Sequence, residues 1–68
     1  MNKALLRAEM IKHGDTQETL AKAMGISLSR LNAKINSDNA EFRQMEIIFI
    51  KDRYNLGPVE VNDIFFNS

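Results

Sequence analysis

The chain has no cysteine, so neither a disulfide nor a thiolate metal site can reinforce it. Histidine occurs once, as His13, with no second metal-type residue at ligand spacing. At the end of a helical stretch, that imidazole suits a partner for the helix dipole better than a ligand or a base. Glycine is scarce, and no Gly-rich phosphate loop is present. Nor do the carboxylates cluster: Asp15 and Glu18, which follow His13, are explained by helix capping. These absences argue against an enzyme, a metal, a cofactor or a small-molecule ligand. No apolar run approaches the length of a membrane span, and no signal-peptide pattern is seen, so a cytoplasmic protein with no membrane partner is expected.

Formal net charge is also zero, which weighs against nucleic acid as a partner, because that affinity rests on neutralising phosphates. The placement of the charges weighs the other way. Lys3, Arg7, Lys12, Lys22, Arg30 and Lys34 outnumber Glu9, Asp15 and Glu18 in the first half. In the second half Asp38, Glu41, Glu46, Asp52, Glu60 and Asp63 outnumber Arg43, Lys51 and Arg53. A molecule with one DNA-facing surface has such an asymmetry. The 68 residues suffice for one domain, residues 1–68, with a modest core made by helix packing.

Helical periodicity runs through most of that length. Residues 2–13 read as a first helix, with Leu6 and Met10 inward, Leu5 or Ile11 flanking them, and Gly14 ending it. A second helix carries Leu20, Ala21 and Met24, capped by Asp15 or by Thr16; Asp15 with Glu18 has the spacing of a capping box. Leu28, Leu31 and Ile35 fall on one face of a third helix over residues 28–36. Gly25 stands between the two, where a helix stops in the left-handed region that glycine adopts cheaply, and Ser27 has the chemistry to cap the next helix. Helix, tight turn and second helix, packed through the small Ala21, are the sequence form of a helix-turn-helix.

After a polar turn over Ser37 to Glu41, a fourth helix is expected over residues 42–54, with Ile47, Ile50 and Tyr54 as its core face. Met45, Ile48 and Phe49 spread apolar surface around the rest of that helix, so it is either deeply buried or offers a patch to a partner. Gly57 breaks it, Pro58 is pre-set for a helix start, and a short fifth helix follows to Phe66.

The run Thr16, Gln17, Leu20, Ala21, Gly25, Ile26, Ser27, with Leu31 and Asn36 beyond, resembles the DNA-binding domain of phage repressors and Cro proteins. The resemblance is close over about twenty residues and looser over the flanking helices. It implies an all-α, five-helix, lambda-repressor-like domain in which the second helix of the pair lies in the major groove. Mapping the family onto this chain puts Leu28, Ser29, Asn32 and Ala33 nearest the bases. There Asn32 can pair bidentately with adenine, while Leu28 and Ala33 can meet a thymine methyl. Thr16 and Gln17 fall at the start of helix two, where the family binds phosphate. Lys34, Asn36 and Arg43 are further backbone-contact candidates.

The implied function is sequence-specific binding of a double-stranded DNA operator by a phage- or prophage-type transcriptional regulator, acting as a homodimer. Some relatives bury an Arg–Glu pair where this chain has Met10 and Ile35, an exchange the fold tolerates. Ser37-Asp38 stands where the family often has glycine and a basic residue. The rival reading is a helix-turn-helix scaffold turned into a protein-interaction module through Ile48, Phe49 and Phe66, the same residues expected to form a dimer surface.

Overall fold

In a computed structural model of the chain, residues 1–36 and 40–66 are described, and they are all helical or loop, with no strand among them. Helices α1 (Lys3–Lys12), α2 (Gln17–Met24), α3 (Leu28–Asn36) and α4 (Gln44–Arg53) are followed by a short α5 (Pro58–Val61). The last runs on into a π-helical turn, Asn62–Phe66. The whole measures 28 × 26 × 20 Å, and no described helix is long and apolar enough to cross a membrane. Ser37 and Asp38, expected in the polar turn, lie outside the described residues.

Three of the helix ends share one device. After α1, α2 and α4 the chain enters the left-handed region at Gly14 (φ 76°), Gly25 (φ 74°) and Asn55 (φ 52°). The next amide then reaches back over the last turn: Asp15 to the Met10 carbonyl at 2.8 Å, Ile26 to Ala21 at 3.0 Å and Leu56 to Lys51 at 2.9 Å. This six-to-one closure satisfies a carbonyl that the helix leaves orphaned. The residue that stops α4 is therefore Asn55, not Gly57 as the sequence suggested. Gly57 has an ordinary φ of −83° and opens α5, with Pro58 in its first position as expected.

The N-termini are capped as locally. Asn2 accepts the Leu5 amide at 3.1 Å, and Ser27 Oγ accepts the Arg30 amide at 3.1 Å. At α2 the open choice resolves to Thr16. Its Oγ1 accepts from the Thr19 amide at 3.1 Å, while Thr19 Oγ1 accepts from the Thr16 amide at 2.9 Å. Asp15 is then released for work elsewhere.

The core collects Leu6 and Met10 of α1, Leu20 and Ala21 of α2, Leu31 and Ile35 of α3, Ile50 of α4, then Tyr54, Leu56 and Ile64. Met10 and Ile35 are both buried in this core, and Ile26 packs against it from the α2–α3 turn. The amide of Asn2 donates to the Ile64 carbonyl at 2.6 Å, which ties the start of α1 to the π turn. Phe42 meets Phe65 edge-on with ring centroids 5.6 Å apart. One sequence assignment needs correction: Leu28 is 46% exposed and does not belong to the core face of α3. Of the two alternatives for the flank of α1, Leu5 is the more covered, while Ile11 stands in solvent. Helix α4 does present apolar surface outward, with Met45 82% and Ile48 48% exposed.

Candidate nucleic-acid interface

The candidate face is built by α2 and α3, which pack on each other across the Gly25 turn. Burying Leu31, Lys34 and Ile35 turns the opposite side of α3 to solvent. Leu28, Ser29, Asn32, Ala33 and Asn36, the residues singled out for DNA on this helix, are all exposed there. Helical geometry requires it: Leu28 and Ser29, then Asn32 and Ala33, then Asn36 succeed one another one turn apart on one side.

A row of side-chain hydrogen bonds runs along that side. Asn32 Nδ2 donates to Gln17 Oε1 at 3.3 Å, joining the first residue of α2 to the middle of α3. Asn36 Nδ2 donates to Asn32 Oδ1 at 2.9 Å and lies 3.2 Å from the Asn32 carbonyl. Arg7 of α1 then donates from Nη2 to Asn36 Oδ1 at 3.0 Å. The Asn32 amide is thereby oriented, one hydrogen to Gln17 and one lone pair to Asn36, and it retains one donor and one acceptor for a ligand. Adenine in the major groove presents the matching pair, an acceptor at N7 and a donor at N6.

Thr16, named as a backbone contact, is exposed, but its hydroxyl is occupied as the α2 cap. Gln17, half-buried at the first turn of the same helix, uses its carbonyl oxygen for Asn32 and keeps its amide donors. Arg43 is exposed just before α4, and its backbone amide donates to Glu46 Oε1 at 2.8 Å.

Lys34 does not suit the role given to it. It is 7% exposed, and its ammonium lies 3.0 Å from Glu46 Oε1 and 3.2 Å from the Glu41 carbonyl. Burial pushes the Glu46 carboxyl up, but the Arg43 amide and the Lys34 ammonium outweigh it and hold the group below its ordinary value of 4.5. An internal clamp between α3 and the start of α4 occupies this lysine, so it is withdrawn from the backbone-contact set.

Sequence reasoning missed a second cluster, where the link between α1 and α2 meets the end of α4. Asp15 Oδ2 accepts from Arg53 Nε at 2.7 Å and from the Tyr54 hydroxyl at 2.7 Å, and Oδ1 accepts from Arg53 Nη2 at 2.9 Å and Thr19 Oγ1 at 2.8 Å. The Arg53 bonds, helped by Tyr54 and Thr19, hold the Asp15 carboxyl far below the ordinary aspartate value against the opposing effect of burial. Burial first, and then the hydrogen bond to Asp15 and its charge, push the Tyr54 phenol up, so it stays a donor. The His13 ring stacks on Tyr54, with centroids 5.0 Å apart and planes 24° apart. The one sequence signal for this cluster was negative: once Thr16 is the cap, Asp15 has no local role.

Among the described residues no three His, Asp or Glu side chains gather in a metal-binding group. No protein-family model matches the chain, and no curated protein or solved structure matches it either.

Proposed function

We propose that α2, the Gly25 turn and α3 form a helix-turn-helix that binds duplex DNA sequence-specifically, with α3 in the major groove. The observation that carries this reading is the Asn32–Gln17 bond. It joins the two helices on their solvent side and leaves on Asn32 the donor and acceptor that adenine requires. A merely structural hairpin has no need of an oriented, exposed amide at that place. The exposed Leu28 and Ala33 beside it offer apolar contact to a thymine methyl.

Charge is the other support. Lys3, Arg7, Lys12, Lys22 and Arg30 are all exposed on α1–α3, whereas Asp15 is neutralised internally by Arg53. The neutral chain thus keeps, on α1–α3, five exposed cations against the acids Glu9 and Glu18, an excess available to phosphates. With one short recognition helix, base contacts are few, and a two-fold dimer doubles them. The exposed Ile48, Phe49 and Phe66 supply apolar surface for such a dimer. The reading is of a phage-type transcriptional regulator with a symmetric operator. Selection of bound duplexes from a random pool tests it. The expected product is a two-fold-symmetric sequence whose half-sites lie about one helical turn apart, bound more weakly as salt rises. Recovery of no common sequence, with no retention at low salt, overturns the reading in favour of a protein-interaction module on the same apolar surface.

A further inference from the structure

Withdrawing Lys34 leaves the exposed row of α2 and α3 with no cation of its own: Gln17, Asn32 and Asn36 are all neutral. The row does not end at Asn36, however. Arg7, from the middle of α1, donates to Asn36 Oδ1 at 3.0 Å across a separation of 29 residues. Three helices thereby contribute to one continuous hydrogen-bonded line, Arg7–Asn36–Asn32–Gln17, with a guanidinium at one end.

The two residues at that end differ in what they have left to give. The Asn36 amide is engaged from both sides, its oxygen by Arg7 and its nitrogen by Asn32. Arg7 uses one of five N–H donors on Asn36, and its planar fork fits two oxygens of a phosphate. Arg7 is exposed, so its charge meets a ligand without first breaking a buried contact. A side chain held at one point also loses less freedom on binding than an untethered lysine.

We infer that Arg7 binds a backbone phosphate of duplex DNA beside the base-reading row, with Asn36 as its positioning residue; this rests on the DNA-binding reading above. Helix α1 thereby becomes part of the interface, and Asn36 acts on phosphate through Arg7 rather than directly.

The test measures affinity against salt for the unmutated protein and for Arg7→Ala, Arg7→Gln, Arg7→Lys and Asn36→Ala. Each is titrated onto the selected duplex and a scrambled one, with urea midpoints recorded to establish that every variant folds. Arg7→Ala and Arg7→Gln should lower the slope of log affinity against log salt by about one, since one phosphate is no longer neutralised. The loss should be similar on both duplexes, because a phosphate contact does not read sequence. Arg7→Lys should keep the slope, and Asn36→Ala should keep it while weakening binding several-fold. An unchanged slope in Arg7→Ala, with the unmutated protein binding normally, overturns this inference and leaves the DNA-binding reading standing. A Lys variant that loses the slope as fully as Ala overturns it too, since the charge would not be the cause. An unchanged affinity in Asn36→Ala overturns the positioning role. If the unmutated protein binds neither duplex at low salt, the functional reading fails and this inference with it.

Discussion

Arg53 reaches back 38 residues to Asp15, donating from Nε at 2.7 Å and from Nη2 at 2.9 Å to the two carboxylate oxygens. That fork-on-fork pair joins the end of α4 to the short link between α1 and α2, and Tyr54 beside it adds a third donor from the same turn. The Asp15 side chain is 7% exposed, so water replaces little of what a substitution would remove. The entry to α2, and with it Gln17, is thus fixed by the end of α4.

Replacing Asp15 by Ala should cost about 2–3 kcal/mol, because it strands a buried tyrosine hydroxyl and an arginine that has lost its partner. Asp15→Asn should cost less, since the amide still accepts from Tyr54. Urea midpoints at neutral pH measure both.

The same pair gives a pH dependence with a definite sign. The folded-state value of Asp15 lies far below the ordinary 3.8, so its stabilisation is complete above that ordinary value and is lost as pH falls below it. Glu46 is shifted in the same direction and adds to the loss. Urea midpoints should be flat from pH 7 to about pH 5 and fall below pH 4, more steeply for the unmutated chain than for Asp15→Asn.

Gly25→Ala should destabilise the domain by about 1 kcal/mol. A Cβ there meets nothing within 4 Å, so the cost comes from the left-handed backbone alone. Asn55, in the same conformation after α4, predicts the opposite: Asn55→Gly should raise the urea midpoint slightly. If Gly25→Ala left the midpoint unchanged, the left-handed turn between α2 and α3 would be in error.

Most of this architecture was legible in the sequence, because its signals are local. Periodic leucines and isoleucines marked the helices, and Gly14, Gly25, Ser27 and Pro58 marked their ends. Asn55 was overlooked because Gly57 nearby looked like the stronger breaker, although asparagine also tolerates the left-handed region. Long-range polar partners left no such trace. Lys34 with Glu46, Asp15 with Arg53 and Arg7 with Asn36 are 12, 38 and 29 residues apart, and spacing along a chain does not encode which of its surface charges turns inward. Lys34 lies at a position that periodicity allots to the flank of the buried face, where an aliphatic stem can be covered if its ammonium finds a carboxylate.

Assembly is tested by sedimentation. The apolar surface of Ile48, Phe49 and Phe66 should give a weak dimer, strengthened by a two-fold-symmetric duplex. Ile48→Asp should abolish the dimer without unfolding the monomer, since that side chain is already half exposed. A monomer at every accessible concentration, with and without DNA, contradicts this assignment.

The most direct measurement of the central claim compares Asn32→Ala with Gln17→Ala on the selected duplex and on a scrambled one. Loss of a bidentate adenine contact should cost Asn32→Ala about 1–3 kcal/mol on the selected duplex, and should relax preference at one position in each half-site. Gln17→Ala removes a long bond of 3.3 Å while Asn36 still holds the Asn32 amide. It should therefore weaken both duplexes by similar factors, as loss of a phosphate contact does. Equal weakening of both duplexes by Asn32→Ala, with preference intact at every position, would contradict the account and place a different face of α3 against the bases.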